Sequence, residues 1–219
     1  KSLIAILVAG LMAPALSFAE KGDFVVRARA TYIAPDESSK LLATSGIDNK
    51  LEVDSNVIPE IDFSYYITKN IATELILATG TRHDVSVSGT GGAVAHNLGS
   101  VNLLPPTLTV QWHFNPDQQF DPYAGAGISY IRAMDNGLAT TTSTTNLPTV
   151  GTGIHIDRNM FGPAIQAGID VNLQEKWLVN FDVKKIWFNT DVFRNDTGAK
   201  IDDLDIDPWV VSFGIGKKF

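Results

Sequence analysis

Apolar and polar side chains alternate in segments of about ten residues that recur from position 24 to the last residue. Successive side chains of an extended strand point to opposite faces of a sheet, so this period of two predicts β-strands. No helical period stands out after residue 20. We predict eight strands, over residues 24–34, 53–67, 71–82, 105–114, 121–133, 160–172, 177–188 and 207–219.

The joins between these strands alternate between short and long. The short joins are TKN at 68–70, NPDQQF at 115–120 and LQEK at 173–176. The long joins are rich in Gly, Ser, Thr, Asn and Asp, and they lie near 35–52, 83–104, 134–159 (with the low-complexity run TTTSTT at 140–145) and 189–206. Short turns at one end and long loops at the other are typical of an up-and-down barrel whose termini both lie at the short-turn end. The sequence therefore predicts an all-β, eight-stranded antiparallel barrel.

The two faces of the predicted strands differ in chemistry, and this difference predicts the medium around the barrel. One face carries large apolar side chains, such as Leu108, Val110 and Trp112 on the fourth strand. The opposite face carries Arg27, Arg29, Glu60, Asp62, Glu74, Gln111, His113, Gln166, Asp170, Asn180, Asp182 and Lys184. Burying these polar groups while Leu and Phe met water would be unfavourable on both faces. With the apolar face in lipid both faces are satisfied, so we predict a transmembrane barrel.

The aromatic residues give an independent indication of a membrane. They fall near the two ends of the predicted strands and leave the strand centres nearly free of Tyr and Trp, which the general enrichment of aromatics in strands would not produce. Two girdles at the two membrane interfaces are expected of an outer-membrane barrel. We assign Tyr65, Trp112, Trp177 and Phe219 to the short-turn girdle and Tyr32, Tyr130, Trp187 and Trp209 to the loop-side girdle.

The chain ends in mid-strand, on DPWVVSFGIGKKF. One face of this segment is large and apolar, whereas the other carries the small residues Ser212, Gly214 and Gly216. Lipid tolerates no open sheet edge, so we expect the last strand to close the barrel against the first and to be the part that the barrel-assembly machinery binds. Two lysines, Lys185 and Lys217, face outward near the rims, where they can snorkel, and a bulge at Lys185 is the alternative.

The first residues predict export from the cytoplasm. Lys1 is followed by LIAILVAGLMAPAL and then SFAEKGDF, the pattern of a secretory signal peptide over residues 1–19 with cleavage after Ala19. The alternative, a buried or membrane-spanning helix, is disfavoured because spanning requires about twenty apolar residues and Pro14 interrupts this run. Residues 20–219 then form a single barrel domain. The absence of cysteine excludes disulfides and thiolate sites, and a net charge of −7 without a basic cluster argues against nucleic acid.

The inward face of the predicted barrel changes character along the axis. An eight-stranded barrel leaves room only for side chains or one small ligand. In the periplasmic half, opposite charges across so narrow a lumen should pair and form a plug, made by Arg27, Arg29, Glu60, Asp62, Glu74, Asp170, Asp182 and Lys184. The loop-side half carries an apolar lumen, made by Ile33, Ile58, Ile76, Ala78, Ile131, Ile186, Phe188 and Val210. The alternatives are a salt-bridged core without a role in transport and apolar filling without a ligand.

Prolines weaken particular places in the predicted wall, because proline cannot donate to a strand ladder. Pro105 and Pro106 begin the fourth strand, Pro59 interrupts the second and Pro163 lies early in the sixth. We hypothesise a lateral seam beside Pro105 and Pro106, through which an apolar solute leaves the lumen for the bilayer. The alternative is that these prolines only end strand pairing near the loops.

Several stretches resemble the OmpW family of small outer-membrane barrels. They are TELILATGTRHDV, LPPTLTVQWHF, DPYAGAGISYI, GPAIQAGIDVNL with WLVNFDVKKIWF, and the closing DPWVVSFGIGKKF. The resemblance implies an eight-stranded barrel that lets small apolar molecules cross the outer membrane, in a family that also includes alkane-uptake proteins. Ile76 falls where the family motif places an apolar inward residue, whereas Lys184 departs from the apolar residue that the resemblance implies there.

Enzymatic and metal-binding motifs are weak in this sequence. It has no Gly-x-Ser-x-Gly elbow and no His-Glu-x-x-His, and RHD at 82–84 with Ser86 and Ser88 nearby forms no triad by its spacing. The acidic run DDLDID at 202–207 lacks the glycine and the closing glutamate of a calcium loop. We interpret it as a solvated loop that divalent ions bridge to lipopolysaccharide.

These observations favour a passive channel of a Gram-negative outer membrane for small hydrophobic molecules, with no cofactor and no enzymatic activity. The alternative is a structural or surface-interaction barrel whose long loops bind a partner, such as a phage or a bacteriocin, while nothing crosses.

Overall fold

A computed structural model describes residues 20–38, 49–78, 81–89, 93–138 and 153–219. The predicted signal peptide and the TTTSTT run lie outside these residues. Within them, no helix is both long enough and apolar enough to cross a membrane.

The described residues form fifteen strands and one short 3₁₀ turn, Gln174–Lys176. The strands are β1 (Phe24–Ala34), β2 (Asn49–Val53), β3 (Asn56–Tyr66), β4 (Ile71–Ala78), β5 (Thr81–Gly89), β6 (Ala93–Leu104), β7 (Thr107–His113), β8 (Phe120–Asp135), β9 (Gly137–Leu138), β10 (Ile154–Ile156), β11 (Asn159–Asn172), β12 (Trp177–Ile186), β13 (Asn189–Arg194), β14 (Lys200–Asp205) and β15 (Trp209–Lys218).

Eight of these strands close into a barrel. β1, β3, β4, β7, β8, β11, β12 and β15 pair in this order, each antiparallel to the next. The last strand returns to the first, from Val25 opposite Lys218 to Ala34 opposite Trp209. The amide of Phe219 donates to the carbonyl of Phe24 at 2.8 Å, so the ladder runs to the C-terminal residue. The predicted eight-stranded antiparallel barrel, closed by its last strand, is confirmed.

The prediction for the long joins was wrong in part, because strands continue into them. β5 pairs with β2 and β6, which extends the wall above β3, β4 and β7. β9, β10, β13 and β14 form a separate four-stranded sheet. The Gly, Ser and Asn content of these segments suggested irregular loops, but alternation persists in stretches such as Val85 and Val101–Leu103, whose apolar side chains are buried. The extra strands bury these side chains.

The outer face of the barrel is apolar along its whole height. On β7, Leu108, Val110 and Trp112 are about half exposed, whereas the intervening Thr109 and Gln111 are buried. Trp209 and Phe213 on β15 also point away from the axis. Because this face would meet water at a large free-energy cost, it belongs in hydrocarbon.

The two outward lysines are held at the barrel rims. The ladders on both sides of Lys185 run without a register shift, so the alternative of a bulge there is wrong. Lys185 Nζ lies 3.1 Å from Asp36 Oδ2, 2.5 Å from the Asp207 carbonyl oxygen and 5.1 Å from the ring centroid of Trp209. Lys217 Nζ lies 5.0 Å from the ring centroid of Trp177. Each ammonium therefore keeps polar or aromatic partners instead of hydrocarbon.

Candidate functional site

The lumen consists of three layers stacked along the barrel axis. A small apolar layer of Val25, Tyr66, Ala72 and Leu178 lies at the short-turn end. Above it lie the charged residues of the predicted plug, called here the charged cluster, and above these lies an apolar cavity. On several strands the change from charged to apolar occurs at one inward step, for example from Glu60 to Ile58 on β3 and from Lys184 to Ile186 on β12. Strand alternation thus produces the layers, since every second residue faces inward.

Arg27 organises the lower part of the charged cluster. Its Nη1 donates to Asp62 Oδ1 at 2.8 Å and to Ser64 Oγ at 2.7 Å, and its Nη2 donates to Asp170 Oδ2 at 2.7 Å. Asp62 lies on the neighbouring strand β3, but Asp170 lies on β11, so the second bond reaches past β15 and β12. The guanidinium therefore ties distant parts of the wall together.

Arg29, two residues further on β1, organises the upper part. Its Nη1 donates to Glu60 Oε1 at 3.1 Å, its Nη2 donates to Glu74 Oε1 at 2.9 Å, and its Nε lies 3.1 Å from Asp62 Oδ2. The same residue Glu74 accepts hydrogen bonds at Oε2 from Gln111 Nε2 at 2.8 Å and from Gln166 Nε2 at 2.9 Å. Charged and amide groups from β1, β4, β7 and β11 meet around one carboxylate, which leaves the centre of the lumen filled.

Further polar groups, which the sequence pattern did not assign to the plug, surround the charged cluster. Tyr123 Oη donates to Asp182 Oδ2 at 2.8 Å, and Asn180 donates to Asp170 Oδ1 at 2.7 Å. Near the short turns, His113 Nδ1 lies 2.8 Å from Asp121 Oδ2. Tyr123 and Asp121 alternate with the outward residues of β8, so the alternation along that strand could have identified them as inward-facing.

Small residues on the last strand make room for the two arginines. A Cβ atom at Gly216 would lie 2.7 Å from Arg27 Cγ, and one at Gly214 would lie 2.8 Å from Arg29 Cγ. Real Cβ atoms do not approach so closely. The inward face of β15 carries small residues because glycine leaves room for the two arginine side chains of β1 that approach it closely.

Lys184 lies at the boundary between the charged cluster and the cavity. Its side chain is 2% exposed, and its Nζ lies 3.2 Å from Asp182 Oδ1 on the same strand. The structure thus places all eight residues of the predicted plug inside the barrel and buries each of them.

The apolar cavity occupies the loop-side half of the lumen. The empty space within it is about 660 Å³, a figure that includes open solvent at its mouth. All eight residues of the predicted apolar lumen line it: Ile33, Ile58, Ile76, Ala78, Ile131, Ile186, Phe188 and Val210. Val53, Leu103, Ile206 and His83 line it as well. The sequence pattern did not assign these four residues to the lumen, because they lie at strand ends or in segments interpreted as loops.

The wall of the cavity is interrupted at Pro105 and Pro106. Among the described residues, the β4–β7 ladder ends at Ile76 opposite Thr107, and the β5–β6 ladder begins at Thr81 opposite Leu103. The Pro106 carbonyl accepts a hydrogen bond from the Tyr130 amide at 2.9 Å, so pairing continues on the β8 side. In the described part of the wall, strand pairing at Pro105 and Pro106 is therefore interrupted on the side that faces β4 and β5 and continues on the side that faces β8.

Each of the two other prolines lies within a ladder on one side, whereas the ladder on its other side ends at the next residue, at Glu60 opposite Ala78 and at Ala164 opposite Ile186. Pro59 lies opposite Ala30, and Pro163 lies opposite Ile128. The Pro163 carbonyl also accepts the Trp187 amide at 3.0 Å. Pro105 in addition lines the cavity, which these two do not, so the interruption of the ladder coincides with the cavity wall only at Pro105 and Pro106.

The girdle residues lie on the outer face near the two ends of the barrel. Tyr65, Trp112, Trp177 and Phe219 lie near the short turns, and Tyr32, Tyr130, Trp187 and Trp209 lie near the loops. The Tyr130 hydroxyl donates to Asn159 Oδ1 at 2.6 Å, which keeps its polar end satisfied.

The motifs weighed for catalysis and metal binding do not assemble. His83 is buried in the cavity wall with Nδ1 2.9 Å from the Asp54 carbonyl oxygen, whereas the adjacent Asp84 is exposed on the opposite face. In the acidic run, Asp203 lies 3.4 Å from Lys200, and a hydrogen bond with Asp191 raises the pKa of Lys200. Across the parts of the chain that the structure describes, no three His, Cys, Asp or Glu side chains are grouped so that they could hold a metal ion.

A closed antiparallel barrel with an apolar outer face and a charged interior is the architecture of an outer-membrane β-barrel protein. The family model of the OmpW family matches residues 20–219. The chain belongs to this family and lies in the outer membrane of a Gram-negative bacterium, as the resemblance of its motifs predicted.

Comparisons with individual proteins agree with this assignment. Outer membrane protein W of Escherichia coli (strain K12) is 33% identical over 202 residues, which cover 91% of this chain and 90% of that protein. The dibenzothiophene metabolism operon protein PahQ of Pseudomonas aeruginosa is 24% identical over 207 residues, which cover 93% of this chain and 92% of that protein. The crystal structure of the outer membrane protein OprG from Pseudomonas aeruginosa matches with a TM-score of 0.74 and 28% identity, covering 92% and 98% of the two chains.

Proposed function

We propose that this protein is a passive channel for small hydrophobic molecules, with the apolar cavity as their binding site. The observation that carries the proposal is this cavity in the loop-side half of the lumen, which is lined mainly by Ile, Val, Leu and Phe. Transfer of apolar surface from water into such a site is favourable by about 25 cal/mol per Å². The relative PahQ is named for an operon of dibenzothiophene metabolism, and dibenzothiophene is an apolar aromatic compound, which agrees with the proposal.

In this proposal the charged cluster is the periplasmic plug. Arg27 is completely buried and Arg29 nearly so, and their ion pairs join β1 to β3, β4 and β11 across the lumen. Opening an axial path would separate buried ions, and breaking such a pair typically costs about 3–5 kcal/mol. An apolar solute therefore does not leave along the axis.

The remaining exit is the lateral seam beside Pro105 and Pro106. There the strand ladder is interrupted on the side of β4 and β5, and Pro105 faces the cavity directly. A solute that passes this seam enters the hydrocarbon of the bilayer without crossing the charged cluster. No cofactor and no bond-breaking step is required.

Export and assembly complete the proposal. Residues 1–19 are the export signal, residues 20–219 are the barrel domain, and the C-terminal strand that ends on Phe219 is the element that the barrel-assembly machinery binds. Lipopolysaccharide contacts the loop-side rim, where exposed carboxylates of the 202–207 run, such as Asp203 and Asp205, bind bridging divalent ions.

Filling the cavity tests the proposal directly. Ala78 lines the cavity and Ala30 faces lipid, so Ala78→Phe and Ala30→Phe place the same ring inside and outside the barrel. We expect Ala78→Phe to reduce the uptake of radiolabelled n-octane by intact cells severalfold, because the ring occupies the binding space. Ala30→Phe should leave uptake unchanged. If cells producing the wild-type chain take up octane no faster than cells lacking it, the channel is refuted and the surface-interaction alternative stands.

A further inference from the structure

The floor of the apolar cavity is polar. Lys184 and Glu60 line the cavity at its lower end, and they are 2% and 4% exposed. Both lie one inward step below an isoleucine, Ile186 on β12 and Ile58 on β3. A molecule that fills the cavity therefore has apolar walls along its sides and a lysine and a glutamate at one end.

These two groups retain capacity for hydrogen bonds. The Lys184 ammonium has three N–H donors, and among the described residues its ion pair is with Asp182. Glu60 accepts from Arg29 through Oε1, and no described residue donates to its Oε2. Thr31 and Thr107, which also line the cavity, are already bonded within the wall to Ser212 and Ser129, each at 2.8 Å. The floor thus offers one donor and one acceptor.

The charge around the floor selects against an ionised ligand. The charged cluster contains three cations, Arg27, Arg29 and Lys184, and five carboxylates, a formal excess of two negative charges. A carboxylate head group would add a further negative charge to this low-dielectric site. A pure alkane would leave the floor groups without partners, which costs free energy when they are buried. A neutral group that both donates and accepts matches the floor.

We propose that the preferred solutes are small amphipathic alcohols or phenols, bound with the hydroxyl group at Lys184 and Glu60 and the apolar part against the isoleucines above. This inference rests on the proposed function and specifies its substrate class. The hydroxyl oxygen accepts from the Lys184 ammonium, and the hydroxyl proton is donated to Glu60 Oε2.

Binding measurements with three matched probes test this class. The purified barrel in lipid nanodiscs is titrated at pH 7.5 with 1-octanol, n-octane or octanoate, with protein-free nanodiscs as the blank. The double variant Lys184→Met/Asp182→Asn removes one cation and one carboxylate together, so the net charge of the cluster is unchanged. Because one hydrogen bond is lost, we expect its affinity for 1-octanol to fall about threefold to tenfold while its affinity for n-octane is unchanged or higher.

Lys185 provides the matched control. It is adjacent to Lys184 on β12 but faces outward, where Asp36 and the Asp207 carbonyl hold it. Lys185→Met should leave the affinities for 1-octanol and n-octane unchanged. Octanoate should bind the wild-type chain more weakly than 1-octanol, and Glu60→Gln, which removes one negative charge, should narrow that difference.

The outcomes separate this inference from the channel itself. If the double variant weakens both neutral probes equally or neither of them, the hydroxyl contact is refuted while octane binding still supports the channel. If none of the probes binds the wild-type chain above the blank, the proposed function fails.

A measurement on the wild-type chain keeps the inference testable if the double variant does not fold. Nuclear Overhauser contacts should join the hydroxyl-bearing carbon of 1-octanol to Ile58 and Ile186, and the terminal methyl to Leu103 near the mouth. The reverse orientation would overturn the inference.

Discussion

Gly214 shows how a single small residue decides the packing of the lumen. Its inward position on β15 lies against β1, where the backbone of Ala28 and Arg29 fills the space that a side chain would need. A backbone contact cannot be relieved by a rotamer change, whereas contact with a flexible side chain can. The position therefore tolerates only glycine unless the wall itself shifts.

Substitution of Gly214 should consequently destabilise the barrel. We expect Gly214→Ala to lower the free energy of unfolding by about 1–3 kcal/mol, as in other overpacked interiors, measured by urea unfolding in lipid vesicles. Gly137→Ala is the control, because a Cβ atom at Gly137 would meet nothing within 4 Å. Equal midpoints for the two variants would contradict the packing described for Gly214.

The break between β6 and β7 is the feature of the wall on which the proposed lateral exit depends. It results from two consecutive prolines that lack amide donors, at the height where the lumen is apolar. Pro163 lacks a donor as well, but its strand β11 pairs continuously with β8. The effect of a proline thus depends on whether the neighbouring ladder continues past it.

Restoring amide donors at this break should affect uptake. We expect Pro105→Val/Pro106→Val to slow the uptake of n-octane by cells, because one of the two new N–H groups faces β4 and allows the β7 edge to pair there and close the seam. Pro163→Val should leave uptake at the wild-type rate. The lateral exit is wrong if the double variant takes up octane as fast as wild type.

At the scale of the whole molecule, the membrane determines which face of the sheet is apolar. Phe213 lies near the middle of the outer face of β15, and Trp209 and Phe219 lie at its two ends. Trp favours the interface because one part of its ring system is apolar and its N–H seeks a polar partner. The barrel should therefore have one defined depth in the bilayer.

Fluorescence quenching measures that depth. The chain has four tryptophans, Trp112, Trp177, Trp187 and Trp209, and variants retaining one at a time report on each position. We expect bromine atoms near the lipid head groups to quench each native tryptophan more strongly than bromine atoms at the chain ends. A single tryptophan introduced by Phe213→Trp should show the opposite order. Equal quenching at all positions would contradict the two girdles.

Much of the candidate site was predictable because the face to which a side chain points depends only on whether its position in the strand is odd or even. Ile33 and Val210 were assigned to the lumen from their position within a strand, and both line the cavity. Leu103 lines it too, but it lies where glycine and polar residues suggested a loop. The extension of the wall above the membrane depends on long-range pairing of β5 with β2 and β6, which composition does not reveal.

Alternation of side chains along each strand was sufficient to establish the barrel, its closure and the face that meets lipid, because burial of apolar surface acts residue by residue. It could not establish which charges meet inside. Arg27 bonds to Asp170, 143 positions away, and the reach past two strands depends on the register of every ladder between them. The position of a side chain around the barrel axis is set by these registers together, so only the closed structure assigns the partners of the arginines and shapes the cavity above them.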